Sequence, residues 1–197
     1  TLKALADLDY IKLEKKQILR DSYHQITTKQ NADKKLTSEQ MTALKNIEIA
    51  QHQGKQKFLL YGVTGSGKTQ IYIEMALKAR ALGKQILILV PEIVLTGQLV
   101  TSFKEYFADD VAVIHSRLSI GERNDTFWRI RTKQVSIIIG ARSALFAPFE
   151  DLGLIVMDEE HDPSYKQDES PRYHSHDIIE KMAEIYHATL IMGSATP

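Results

Sequence analysis

The sequence KFLLYGVTGSGKTQ, residues 57–70, sets the type of domain that this chain forms. Within it, residues 62–69 fit the pattern G-x-x-x-x-G-K-S/T of a phosphate-binding P-loop. An apolar run of strand type precedes the pattern, and Ile71, Met75 and Ala79 follow it at helical spacing. Strand, glycine-rich turn and helix therefore stand in the order that a P-loop requires.

The residue types of this turn fit the chemistry of phosphate binding. Gly62, Gly65 and Gly67 let the backbone fold around an anion, with N–H groups pointing inward at the start of a helix. Lys68 is then expected to reach the β and γ phosphates, and the Thr69 hydroxyl to ligate Mg²⁺. The stretch predicts a site for a nucleoside triphosphate. The other residues of the predicted binding turn are Val63, Thr64 and Ser66.

The composition limits the classes of protein to consider. A chain of 197 residues has room for one α/β domain and an appendage, but not for two such lobes. With 25 basic and 25 acidic residues, a nucleic-acid surface has to be a local patch. The absence of cysteine excludes disulfides and cysteine-bearing zinc sites from this stretch. No apolar run approaches the ~20 residues of a membrane span, which predicts a cytoplasmic location and no membrane partner.

Residues 1–35 are expected to form an arm and linker ahead of the main domain. Leu2, Leu5 and Leu8 follow helical spacing, and the apolar residues between positions 10 and 19 suggest a short strand pair. The tail of a winged-helix module and an arm packed on the main domain both fit these patterns. Because the chain begins at Thr1 rather than at a methionine, we expect it to be a piece of a longer protein.

Residues 36–197 are predicted to form one α/β domain with a mainly parallel sheet, because strand and helix patterns alternate. The predicted strands are 58–61, 86–90, 111–114, 135–139, 152–157 and 190–192. One helix is expected to start at a cap provided by Thr37 or Ser38, and another at a capping box that begins at Ser119. In the latter helix Phe127, Trp128 and Ile130 are expected in the core. Further helices are predicted after the P-loop and at about 96–107 and 178–186.

The distinctive polar segments all follow predicted strands. In a parallel sheet, ligands bind at the carboxyl ends of the strands, so these segments are predicted to line one rim. Among them, Asp158 and Glu159 end an apolar strand. A carboxylate at Asp158 is placed to hold Mg²⁺ opposite Thr69, and Glu159 to orient and deprotonate an attacking water.

Several segments together carry a resemblance to a known family. The P-loop, VPEIVLT at 90–96, DEEH at 158–161 and GSATP at 193–197 resemble the N-terminal RecA-like lobe of a superfamily-two helicase. GARSALFAPF at 140–149, SYKQ at 164–167 and PRYH at 171–174 are far more specific than the P-loop. They resemble the bacterial primosomal replication-restart helicases, the PriA family, over nearly all of 36–197.

The resemblance implies further site residues. It implies that Gln40 contacts the adenine edge, with an ordinary polar helix residue as the alternative. It also implies that Thr96, Arg142 and Ser143 contact the DNA backbone, with a helix cap or an ion pair as the alternative. The loop 162–177 resembles an aromatic-rich loop that links single-stranded DNA to hydrolysis. Its candidate DNA-binding residues are Tyr165, Lys166, Arg172 and Tyr173. The alternative is a polar loop whose tyrosines pack back on the domain.

The resemblance also implies coupling residues and departures from the family pattern. His161, Ser194 and Thr196 are expected to couple the nucleotide site to the DNA site. Gly97 stands where the family pattern has proline, and His176 where it has arginine, which removes a permanent cation from the loop.

For the whole protein, the resemblance implies an ATP-dependent 3′-to-5′ helicase of stalled forks. The expected cofactors are ATP and Mg²⁺, with zinc only in a C-terminal part outside this stretch. The expected partners are single-stranded and forked DNA, single-strand-binding protein and other primosome proteins, at the bacterial nucleoid. Arginines from a second lobe complete such ATP sites, so this chain is expected to be nearly inactive alone. A duplex translocase or restriction-type motor and a nucleotide-regulated recruitment scaffold remain alternatives.

Overall fold

The computed structural model describes residues 5, 8–12, 35–63, 65–92 and 97–195. A six-stranded sheet with the order β1-β8-β5-β2-β4-β3 forms its centre, and every neighbouring pair in it is parallel. Its strands are β1 (Lys57–Tyr61), β2 (Gln85–Leu89), β3 (Val111–Ile114), β4 (Ile137–Gly140), β5 (Leu152–Met157) and β8 (Thr189–Ser194). A separate antiparallel pair is formed by β6 (Lys166–Gln167) and β7 (Tyr173–His174).

Five helices connect or flank these strands in the part of the chain that the structure describes. They are α1 (Ser38–His52), α2 (Lys68–Ala81), α3 (Gly97–Phe107), α4 (Ile120–Arg131) and α5 (Ser175–Tyr186). Short 3-10 helices are formed by Ala108–Asp110, Arg142–Phe146 and Pro163–Tyr165. Four α-helices therefore lie between consecutive parallel strands, as a doubly wound domain requires.

The continuous apolar strands make a core on each face of the sheet. In β2, Ile86 and Ile88 pack with α1, α2 and α3, whereas Leu87 and Leu89 pack with α4 and α5. Because successive strand side chains point to opposite faces, a run that is apolar at every position fits a sheet covered on both sides. All residues of β2 are buried, which places this strand at the centre of the domain.

Two helices begin at the capping boxes that local sequence indicates. The Thr37 hydroxyl accepts from the backbone N–H of Gln40, and the Gln40 side chain accepts from the backbone N–H of Thr37. Ser119 and Glu122 make the same reciprocal pair ahead of α4. Each box satisfies two N–H groups that a helix start leaves without a partner.

The predicted α/β class with a mainly parallel sheet is confirmed, and the differences are local. Helix α5 begins at Ser175, three residues earlier than the apolar pattern indicates, because His174 caps it. The prediction that Trp128 lies in the core is wrong: 40% of its surface is exposed, while Ile130 on the same helix is fully buried. The expected strand pair near the N-terminus lies largely outside the described residues.

In the ranges that the structure describes, no helix is long and apolar enough to cross a membrane.

Candidate nucleotide-binding site

The P-loop joins the end of β1 to the start of α2 with two left-handed residues. Gly65 and Gly67 have φ of 81° and 85°, a region that side chains other than glycine rarely enter. The N–H of Ser66 donates to the Val63 carbonyl over 3.0 Å and closes the turn. Of the eight P-loop residues predicted to bind phosphate, Thr64 lies outside the described part of the chain.

Lys68 lies between the P-loop and the acidic end of β5. Its ammonium donates to the Gly62 carbonyl over 2.6 Å, and its Nζ is 3.7 Å from Oε1 of Glu159. Only 8% of the residue is exposed. A buried ammonium held by a carbonyl and a carboxylate presents a fixed positive charge beside the glycine turn.

Asp158 is buried where β5 ends. Its N–H donates to the Leu89 carbonyl over 2.9 Å, and its Oδ1 accepts from the Tyr72 hydroxyl over 2.8 Å. Burial raises the pKa of the Asp158 carboxyl, and the hydrogen bond from Tyr72 opposes that shift. The Tyr72 bond therefore favours the ionised carboxylate that a cation site needs.

Glu159 has an unusual backbone conformation. Its φ is 46°, in the left-handed region, which costs a non-glycine residue roughly 1–2 kcal/mol. Backbone strain of this kind concentrates at functional sites. The strained residue is also the one whose carboxylate contacts two site residues. Oε1 of Glu159 faces Lys68, and Oε2 is 3.8 Å from Nε2 of His161.

These residues share one cleft of about 400 Å³. Its walls come from the P-loop, the start of α3 and the end of β5. The lining residues are Val63, Gly65, Ser66, Gly67, Lys68, Thr69, Gln98, Leu99, Ser102, Asp158 and Glu159. The Thr69 hydroxyl and the Asp158 carboxylate supply the hard oxygen donors that Mg²⁺ prefers, so the donor set fits that ion. Sequence patterns do not predict Gln98, Leu99 or Ser102 as residues of the nucleotide site.

Gln40 lies against the P-loop, but its polar atoms have partners within the protein. Its Nε2 donates to the Gly67 carbonyl over 3.2 Å, and its Oε1 accepts from the Thr37 N–H over 2.9 Å. Gln40 is not among the residues that line the cleft. In this arrangement it braces the turn, and its contact with adenine stays a prediction.

The predicted coupling residues are in contact where the structure describes them. Nδ1 of His161 is 3.2 Å from Oγ of Ser194, a fully buried residue at the end of β8. Together with the contact between His161 and Glu159, this links β8 to the acidic pair. Thr196 lies outside the described residues, as does Thr96 among the expected DNA contacts.

Tyr165 is not available for base stacking, which corrects the expectation for this residue. Only 1% of it is exposed, and its hydroxyl donates to the main-chain oxygen of Asp158 over 2.6 Å. The alternative that a loop tyrosine packs back on the domain therefore holds here. Tyr165 is buried because its ring packs in an apolar cluster that includes residues of β5, and this packing removes the ring from water.

The other candidate DNA residues that the structure describes line surface cavities separate from the nucleotide cleft. Tyr173 packs edge-on against Phe146 at 5.6 Å between ring centroids, and the Arg142 guanidinium lies 5.8 Å from the Tyr173 ring centre. Arg142 also donates to the main-chain oxygens of Ser164 and Lys166. Arg142, Ser143, Phe146 and Tyr173 line one cavity, and Lys166, Arg172 and Tyr173 line another. Phe146, 57% exposed, was not predicted as a site residue.

Tyr72 is the buried contact of the site that sequence reasoning missed. It lies three residues after Thr69, near the start of the helix that the P-loop opens. A large polar aromatic among the apolar residues of a buried helix face is a detectable signal, because a buried phenol needs a hydrogen-bond partner.

Comparison with known proteins shows which family this chain belongs to. The family model described as "Type III restriction enzyme, res subunit" matches residues 33–197. Replication restart protein PriA of Bacillus subtilis is 46% identical over 198 residues, covering 100% of this chain and 25% of that protein. PriA of Haemophilus influenzae is 46% identical over 167 residues, covering 85% of this chain and 23% of that protein.

Among solved structures, RecG bound to a three-way DNA junction matches with a TM-score of 0.61 and 25% identity. The match covers 84% of this chain and 21% of that one. The chain thus spans about a quarter of the length of the curated relatives it matches. It belongs to the family of the type III restriction enzyme res subunit and is, within it, a RecA-like lobe of the PriA type.

Proposed function

We propose that this chain is the ATP-binding first motor lobe of a replication-restart DNA helicase. The observation that carries the proposal is the convergence of Lys68, Thr69, Asp158 and Glu159 on one cleft. A lysine and a hydroxyl from the P-loop opposite two carboxylates at a strand end is the arrangement that nucleoside-triphosphate hydrolysis uses. Sequence similarity to PriA along the whole chain supports the assignment to replication restart.

The roles in the cleft follow from the chemistry of each group. The P-loop N–H groups and Lys68 would bind the β and γ phosphates, and Gln40 would contact the adenine edge. Thr69 and Asp158 would hold Mg²⁺, which neutralises phosphate charge when it is bound. Glu159 would accept a proton from the water that attacks the γ phosphorus, while the bond to the ADP oxygen breaks. Lys68, buried beside Glu159, would stabilise the charge on the transferring group.

A DNA-binding surface is proposed at the candidate DNA residues outside the nucleotide cleft. Exposed Lys166 and Arg172 and half-buried Arg142 and Ser143 would contact phosphates, as would Thr96, and Tyr173 offers a ring to a base. Contacts of this kind do not read base sequence. His161, Ser194 and Thr196 would couple this surface to the nucleotide cleft.

In the whole protein we expect ATP-driven 3′-to-5′ unwinding at stalled forks in the bacterial nucleoid. The partners would be single-stranded and forked DNA, single-strand-binding protein and other primosome proteins. Zinc would be needed only in parts of the protein outside this chain. RecG, a structural relative, was solved with a three-way DNA junction, which supports the choice of a branched substrate.

The nucleotide site is tested by Lys68→Ala. We expect the affinity for a fluorescent ATP analogue with Mg²⁺ to fall ~10-fold or more, because a charge-assisted hydrogen bond is worth roughly 1.5–3 kcal/mol. The matched control is Lys84→Ala, which removes a lysine paired with Asp151 at 2.6 Å, ahead of β2. Equal affinities of Lys68→Ala and the unchanged chain would contradict the proposed site.

The turnover of the isolated chain is a second expectation. No arginine lies among the described residues that line the cleft. Because an arginine supplies ~10³ or more of the rate in comparable sites, we expect very slow ATP hydrolysis or none. Robust DNA-stimulated hydrolysis by these 197 residues would contradict this expectation.

A duplex translocase of the restriction type is the second candidate, because the matching family model is described as a subunit of a type III restriction enzyme. The two motors differ in the DNA that activates them. Stronger ATPase stimulation of the full-length protein by duplex than by single-stranded DNA would select the translocase. A recruitment scaffold would keep its function in Glu159→Gln, whereas a motor would bind ATP and stall.

A further inference from the structure

Tyr72 is a fully buried residue beside the nucleotide cleft that has none of the roles proposed above. It lies near the start of α2, and 0% of its surface is exposed. Its phenolic O–H donates to Oδ1 of Asp158 over 2.8 Å. The helix that begins at the P-loop is thereby joined to the carboxylate at the end of β5.

The main chain of Asp158 is held independently. The Tyr165 hydroxyl donates to the carbonyl oxygen of Asp158 over 2.6 Å, and the N–H of Asp158 donates to the carbonyl oxygen of Leu89 over 2.9 Å. The backbone of Asp158 is therefore fixed between two elements. What remains to be set is the orientation of the carboxylate, and the bond from Tyr72 acts on that orientation.

Strand β8 contributes space to this arrangement. A Cβ atom at Gly193 would lie 1.8 Å from the Tyr72 hydroxyl oxygen and 3.0 Å from Oδ1 of Asp158. Both atoms would have to move to admit any side chain there. Gly193 thus belongs to the same contact, and its backbone approaches both partners of the hydrogen bond.

The bond leaves the carboxylate able to bind a cation. A carboxylate has about four lone pairs on two oxygens, and Tyr72 takes one of them. Hydrogen bonds from residues behind a metal ligand orient it, and removing such a bond typically costs about 10–100-fold in metal affinity. An O–H donor to an ionised oxygen in a buried place is among the stronger hydrogen bonds.

We propose that Tyr72 is a positioning residue for the magnesium of the bound nucleotide: its hydroxyl orients Asp158 toward the P-loop, and Gly193 provides the space for it. This inference rests on the proposed nucleotide site. It assigns a role to a tyrosine that contacts neither phosphate nor water in the proposed reaction.

The test is Tyr72→Phe, which keeps the ring and removes the hydroxyl. Binding of a fluorescent ATP analogue is measured with Mg²⁺ and again in EDTA. We expect binding with Mg²⁺ to weaken ~10-fold or more and binding in EDTA to stay unchanged. The matched control is Tyr186→Phe, which removes a hydroxyl that donates to Phe149 over 3.1 Å, away from the cleft. It is expected to bind like the unchanged chain in both conditions.

The outcomes separate the inference from the function on which it rests. If the unchanged chain binds nucleotide more tightly with Mg²⁺, and Tyr72→Phe either keeps that gain or weakens binding equally in EDTA, the inference alone is overturned. If binding by the unchanged chain does not depend on Mg²⁺, the proposed site and the inference fail together.

Gly193→Ala supplies a second measurement that does not need nucleotide. We expect it to lower the melting temperature less in the Tyr72→Phe background, because the atom 1.8 Å from the new methyl is then absent. Equal losses in the two backgrounds would overturn the packing on which the inference depends.

Discussion

At the scale of single residues, the P-loop depends on a glycine for two separate reasons. Gly67 has φ of 85°, and a Cβ there would also lie 2.2 Å from Nε2 of Gln40. Left-handed backbone costs a residue with a side chain roughly 1–2 kcal/mol. The clash with Gln40 adds to that cost, and it disturbs the hydrogen bond that braces the turn.

We therefore expect Gly67→Ala to destabilise the chain more than Gly65→Ala. Gly65 has nearly the same φ, 81°, but a Cβ added there would have no other atom within 4 Å, so it isolates the backbone cost of roughly 1–2 kcal/mol. Urea unfolding of both variants measures the difference. Equal losses would show that Gln40 moves aside freely and does not brace the turn.

At the scale of elements, the start of α4 depends on one side chain. Ser119 accepts from the backbone N–H of Glu122, and the Glu122 carboxylate accepts from the backbone N–H of Ser119. Replacing a serine cap by alanine costs about 1 kcal/mol, so Ser119→Ala is expected to lower the free energy of unfolding by that amount. Ser119→Asn, which keeps a capping oxygen, is the control. Chemical denaturation that leaves Ser119→Ala as stable as the control would contradict the capping role.

Local sequence predicts the features that local physics determines. The capping box at Ser119 and the continuous apolar run of β2 follow from backbone hydrogen bonding and strand burial, and both are present as predicted. The exposure of Trp128 and the burial of Tyr165 do not follow from local sequence in this way. Which aromatic faces the core depends on the element that packs above it, and that information is not in the neighbouring residues.

The same limit explains the small antiparallel pair β6-β7, which falls in a segment predicted only as a polar loop. Each of its strands has two residues, too few for a periodic signal. Contacts distant in sequence accompany it: Arg142 donates to the carbonyls of Ser164 and Lys166, and Ser175 donates to Tyr165 over 2.8 Å. Tertiary packing around Tyr165 therefore contributes to this conformation.

At the scale of the whole molecule, the sheet order determines the composition of the site. Alternating strands and helices predict a rim at the carboxyl ends of the strands, but they do not predict that β8 lies between β1 and β5. This order puts Gly193 and Ser194 between the P-loop and the acidic pair. The contacts of Gly193 with Tyr72 and of Ser194 with His161 follow from it. The strand sequences alone left open which strand separates the two halves of the site.

The pH dependence of stability is also a property of the whole chain, and His115 at the end of β3 contributes to it. Burial lowers the pKa of His115 below 6.5, with a further decrease from the nearby Arg117. Nδ1 of His115 accepts from the backbone N–H of Arg117 over 3.2 Å, an arrangement that needs the neutral ring. Below pH 6.5 the unfolded chain therefore binds a proton that the folded chain resists.

The sign of the effect follows directly. The contribution of neutral His115 to stability is complete above pH 6.5 and is lost as pH falls toward the lowered pKa of the folded state. At lower pH, protonation of Asp158 affects stability with the opposite sign, because its raised pKa makes the folded state hold a proton more tightly than the unfolded chain.

We expect the melting temperature of His115→Asn to fall less than that of the unchanged chain between about pH 7.5 and 5.5. His52→Asn, at the exposed end of α1, is the control, and a parallel decrease in all three proteins would contradict the role of His115.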